Sequence, residues 1–115
     1  MRKYDFTSEE YVHAVLLLQR IDAKSARGVY RKLKKVRLHG ERLYGTPGNV
    51  CYCPIGNYIR DGIGDDAIVR VNQTFLHIGA TKIPLPEAVA EFVEGFDAGM
   101  YRKLRSGRHP TDWCA

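Results

Sequence analysis

Apolar residues recur along this chain at two spacings, and the change from one to the other divides it. Between Tyr11 and Leu18 they are dense: Val12, Ala14, Val15, Leu16 and Leu17 all intervene. A helix over about residues 8–20 would be apolar on nearly every side, which predicts a place at the centre of a core. Thr7 and Glu10 have capping-box spacing, and Phe6 and Tyr11 sit where a hydrophobic staple would flank it. A second helix follows, with Asp22 as its expected cap. At about 100° per residue, Ala26, Val29, Tyr30, Leu33 and Val36 fall on one side and Lys24, Arg27, Arg31, Lys34 and Lys35 on the other. Arg37 would rotate onto the apolar side, so this helix should end near Val36. Gly28 inside it costs about 1 kcal/mol relative to Ala.

The pattern then breaks. Gly40, Gly45, Pro47 and Gly48 mark residues 39–49 as a loop. Pro54 suits the first turn of a short helix reaching about Asp61, with Gly62 as terminator. From Ala67 to Pro84 the period becomes two, predicting strands at residues 68–71, 75–78 and 81–84, with turns at Asn72-Gln73 and Gly79-Ala80. Pro86 opens a last helix with Val89, Phe92, Val93, Phe96 and Met100 on one face and Glu87, Glu91 and Glu94 on the other. The expected core sets Phe92, Val93 and Phe96 against the strands, with the first helix beside them. The order is helix, helix, short helix, a two- or three-stranded antiparallel meander, helix. That is a single α+β domain over residues 1–104, followed by an aperiodic, mobile tail at 105–115. The same order loosely follows a winged helix, with the Asn72 hairpin as wing.

Composition changes this picture little. A chain of 115 residues with 44% apolar content can bury roughly two-thirds of its unfolded surface and fold without staples. Charge changes it more. The net charge is +5, and its distribution is uneven. Lys24 to Arg42 carries eight Lys or Arg and one acid, Glu41, whereas Asp61 to Asp97 carries seven acids against Arg70 and Lys82. A basic face of this kind favours nucleic acid or an acidic protein surface. The first apolar stretch follows Glu9 and Glu10, unlike a secretory signal, and is far shorter than the ~20 residues a membrane span needs. A cytoplasmic setting with reduced thiols, without membrane insertion, is the expectation.

Candidate chemistry is sparse. Cys51 and Cys53 are one residue apart and have no second pair, so even with His77, His109 and Cys114 they depart from structural zinc spacing. Cys53 precedes a helix start, a favourable setting for a thiolate, but His77 lies on a strand with nothing to orient it as a base. Gly62-Ile63-Gly64 is followed by Asp65 and Asp66 and then a strand, where a phosphate loop requires a helix. Asp61, Asp65 and Asp66 lack the ligand spacing of a calcium loop and read as a solvated turn. No enzyme activity, metal or other cofactor is expected; a cysteine or zinc enzyme is the remaining alternative.

From Cys53 onward the chain resembles a group of small uncharacterised proteins of actinobacteria and their phages. The carrying residues are Cys53-Pro54-Ile55-Gly56-Asn57-Tyr58-Ile59, the strand Ile68-Val69-Arg70-Val71, Leu85-Pro86-Glu87-Ala88-Val89, and Phe92 through Tyr101. The resemblance covers about half the chain and implies a phage or accessory-gene setting; it carries no activity. Three readings of the basic face therefore stand. It engages nucleic-acid phosphates, DNA or RNA, through Lys24, Arg27, Arg31, Lys32, Lys34 and Lys35. It meets an acidic protein surface, as in a phage or accessory factor that modulates a host or defence protein. Or it lies against the Glu87, Glu91 and Glu94 face, within one chain or in a homo-oligomer.

Overall fold

The computed structural model describes residues 9–48, 53–64, 69–79 and 81–105, and it is α+β. The elements are α1 (Glu9–Ile21), α2 (Ala26–Lys34), β1 (Arg37–Leu38), β2 (Glu41–Arg42), α3 (Pro54–Ile63), β3 (Val69–Val71), β4 (Phe75–Ile78), β5 (Thr81–Pro84) and α4 (Glu87–Asp97). A 3₁₀ turn, Arg102–Leu104, follows. The Thr7 cap and the tail at 106–115 lie outside the described residues.

Helix α1 buries Ala14, Leu17, Leu18 and Ile21, the three- and four-residue spacing of one face. It is not enclosed on every side as its composition suggests, because Val12 and Leu16 remain 45% and 49% exposed. Helix α3 packs along it. The Tyr58 hydroxyl donates to the Leu17 carbonyl at 3.1 Å, and a Cβ on Gly62 would come within 2.5 Å of Leu17 Cδ1. Gly62 thus belongs to the α1–α3 contact rather than to the helix end. The terminator is Gly64, whose φ of 127° suits a residue without Cβ.

The meander β3–β4–β5 is antiparallel, with Val71 opposite Leu76 and Ile78 opposite Thr81. The Asn72 side chain closes the first turn by accepting from the amides of Thr74 and Phe75, each at 2.7 Å. Gly79, at φ 59°, leads the second. Val69, Val71, Leu76, Ile78 and Ile83 face the core, while Arg70, His77 and Lys82 pair across the outer face.

Helix α4 buries Ala88, Val89, Phe92, Val93 and Phe96, but its principal partner is α2 rather than the strands. Val29 and Leu33 of α2 are fully buried. Between the two helices runs an aromatic column. Tyr101 lies 4.8 Å from Tyr30 and 5.0 Å from Phe92, ring centre to ring centre, and Phe92 lies 5.9 Å from Phe96. Such pairs contribute about 0.5–1.5 kcal/mol each beyond their buried area. Met100, expected on the core face, is 54% exposed instead. Gly99 ends the helix at φ 97°, and the chain folds back so that Tyr101 lies over Gly95, where a Cβ would stand 3.0 Å from its ring.

A winged helix packs its second and third helices around a short turn. Here the main helix pairs are α1 with α3 and α2 with α4, and a hairpin separates α2 from α3. Since α2 is seated by two large apolar residues, Leu33→Ala should cost about 2–5 kcal/mol. Arg31→Ala, on its outer side, should stay within about 0.5 kcal/mol of the parent. Urea unfolding of both variants checks this; equal stabilities would refute the α2–α4 packing.

Candidate nucleic-acid interface

The expected cap of the basic helix, Asp22, is displaced by Ser25. The Ser25 Oγ accepts from the Gly28 amide at 3.2 Å, and Asp22 instead accepts from the Ala23 amide at 2.9 Å. Lys24 therefore precedes the helix, and Lys35 is its C-terminal cap residue. Gly28 has a use that offsets its poor helix propensity: a Cβ there would stand 2.7 Å from that of Ala23, blocking the tight corner out of α1.

All six predicted residues, Lys24, Arg27, Arg31, Lys32, Lys34 and Lys35, are exposed. Arg27, Arg31 and Lys34 follow one line along α2. Lys32 reaches back to the Asp22 carbonyl, and the Lys34 ammonium lies 4.7 Å over the Tyr30 ring. No ion pair joins any of the six to a described carboxylate. Like charges four residues apart, as in Arg27–Arg31 and Arg31–Lys35, weaken a helix by a few tenths of a kcal/mol. The packing beneath tolerates that repulsion. The acidic face does not relieve it within the chain: α4 packs against α2, yet Glu87, Glu91 and Glu94 are exposed and form no ion pair with it.

Sequence reading missed an extension of this surface. Residues 37–42, which run into the stretch 39–49 read as loop, form a hairpin whose turn residues His39 and Gly40 both have positive φ, 53° and 80°, as a type I′ turn requires. The signal was His-Gly flanked by two-residue strands, too short for any periodicity. Arg37 faces Arg42 across the hairpin. Arg37 donates to the Lys34 and Val36 carbonyls, closing the end of α2, and Arg42 donates to the Lys103 carbonyl at 3.0 Å. These bonds bring Arg102 and Lys103 of the 3₁₀ turn beside the hairpin and continue the basic surface beyond α2. His39 pairs with Asp61 at 3.1 Å, and Asp61 lies on α3 rather than in a turn; Asp65 and Asp66 lie outside the described residues.

Cys53 precedes α3 as expected but is buried. Burial pushes its thiol up from an ordinary 9.0 to about 12, against the smaller opposing effect of the Ile55 and Gly56 amides; the Asp97 carboxylate adds slightly to the rise. His77 lies on the outer face of the sheet near Asn72, not beside the thiol. Cys51, Cys114 and His109 lie outside the described residues, among which no group of His, Cys, Asp and Glu could hold a metal ion.

Comparisons with protein-family models, curated proteins and solved structures find no match to the chain. Among the described residues, no helix is long and apolar enough to cross a membrane.

In a variant carrying Cys51→Ser and Cys114→Ser, native Cys53 should react with a chromogenic disulfide at pH 8 at least a hundredfold more slowly than in denaturant. Rapid native labelling would contradict its burial. Because the folded value is raised, the thiol's contribution to stability is complete below pH 9 and is lost as pH climbs toward 12.

Proposed function

We propose that this protein is a non-enzymatic nucleic-acid-binding protein of a phage or accessory-gene setting, engaging the phosphate backbone through the outer side of α2. One observation carries the reading: six exposed cations on and beside one helix, none neutralised by a described carboxylate. From Arg27 to Lys34 the helix advances about 10 Å. That length spans roughly three phosphates of one duplex strand at about 3.4 Å each. The contacts recognise charge and spacing, and no row of Asn, Gln and Arg on α2 supplies a base-reading set.

A second reading keeps the face and changes the partner to an acidic surface of a host or defence protein. It draws on Val12 and Leu16, whose exposure leaves apolar area that nucleic acid would not use. Fluorescence anisotropy with labelled DNA and RNA, single-stranded and duplex, separates the two. Nucleic-acid affinity should fall with salt, at a logarithmic slope of roughly 0.9 per phosphate contacted on B-DNA. Replacing Arg27, Arg31 and Lys34 together by Glu should abolish it with the melting temperature held. Absence of binding to all four probes at low salt would overturn the nucleic-acid reading and leave the protein-partner one.

A further inference from the structure

The basic surface does not end at α2, and the segment beyond the hairpin carries a feature that phosphate contacts leave unused. Residues 42–45 alternate strictly in burial between the end of β2 and the bridge at Gly45: Leu43 and Gly45 are buried, Arg42 and Tyr44 exposed. Tyr44 is 38% exposed, and the Arg42 guanidinium lies 5.6 Å from its ring centre. Stacked cations and aromatic rings of this kind are the usual furniture of surfaces that hold unpaired bases.

The backbone beneath the ring is fixed from three sides. The Tyr44 carbonyl accepts from Asn57 Nδ2 at 2.7 Å, the Gly45 amide donates to the Leu104 carbonyl at 2.7 Å, and Arg42 donates to the Lys103 carbonyl. Gly45 also bridges to Arg105, itself exposed. Ordering the ring on binding therefore loses little backbone freedom. The exposure of Tyr44 is not a by-product of a loose loop, since both of its neighbours in the chain are buried.

Resting on the nucleic-acid reading above, we infer that the preferred ligand is single-stranded, and that Tyr44 is a stacking platform for an unpaired base. Arg42 covers part of the ring and Arg105 lies within reach of the adjoining phosphate. A duplex keeps its bases stacked on one another and offers this ring nothing. A single strand offers a base to Tyr44 while its phosphates continue along the hairpin arginines toward Lys34.

Labelled oligothymidylate of twenty nucleotides and a duplex of equal length test the inference by anisotropy at fixed low salt. The parent protein should bind the single strand more tightly. Tyr44→Ala should weaken single-strand binding roughly 5- to 150-fold and duplex binding less than about twofold, while Tyr44→Phe should match the parent because the ring, not the hydroxyl, stacks. In a Trp113→Phe background, Tyr44→Trp should keep the affinity, and its fluorescence should be quenched by the single strand. If both probes bind and Tyr44→Ala leaves both affinities unchanged, the platform is refuted and the phosphate reading survives. Preference for the duplex also refutes it. If the parent binds neither probe, both readings fall together.

Discussion

The seating of α2 on α4 is the constraint on which the rest of this molecule depends. A nine-residue helix dense in Lys and Arg has little intrinsic reason to persist, since helices this short are marginal in water and its outer charges repel. Val29 and Leu33, buried against the core, and the column from Tyr30 through Tyr101 and Phe92 to Phe96 supply what propensity does not. The column also places the chain after α4. Tyr101 adopts a left-handed backbone at φ 59°, a conformation costing about 1–2 kcal/mol for a residue with a Cβ, and the ring contacts on both sides offset that cost. The 3₁₀ turn and its two cations are consequently held beside the hairpin instead of trailing from the helix.

Once α2 is seated, its charges have no outlet within the described chain. Four acids that might have taken them are occupied or turned away: Asp61 pairs with His39, and Glu87, Glu91 and Glu94 of α4 are exposed to solvent. Several cations bond to main-chain carbonyls instead. Arg37 closes α2, Lys32 reaches the Asp22 carbonyl, and Arg42 ties the hairpin to the 3₁₀ turn. Such bonds orient a guanidinium or ammonium without cancelling its charge. Three positive groups are thereby oriented at the margins of the surface, while Arg27, Arg31 and Lys35 stay exposed along α2 and its cap with no ion pair to a described carboxylate.

Much of this was legible in the sequence. Period-two alternation placed β4 and β5 at the residues observed, and the apolar face of α4 and the opposed faces of α2 followed from helical spacing. What was not legible shares one physical cause: dependence on contacts distant in the chain. The hairpin at Arg37–Arg42 is too short to have a period. Ser25 displaces Asp22 as cap because the corner at Ala23 and Gly28 fixes where the helix starts. Met100 sits at the right angle for the core, but Gly99 ends the helix before it and Tyr101 takes its place. The α2–α4 partnership was missed because the expected core set Phe92, Val93 and Phe96 against the strands, and helical spacing marks an apolar face without naming the element that covers it. At the site, the six cations were visible as a stripe; their continuation through Arg42, Tyr44 and Lys103 needed the fold.

On the proposed function, one face of this protein, running from α2 across the hairpin, contacts nucleic acid while the acidic face of α4 and the outer side of α1 do not. Amide chemical-shift mapping during titration with a short single-stranded oligonucleotide tests it most directly. Perturbed amides should cluster at Arg27, Arg31, Lys34, Lys35 and residues 37–45, with the turn at Arg102–Leu104 following. Shifts centred instead on Glu87–Asp97 or on Val12 and Leu16, or no shifts at saturating oligonucleotide, would contradict the account.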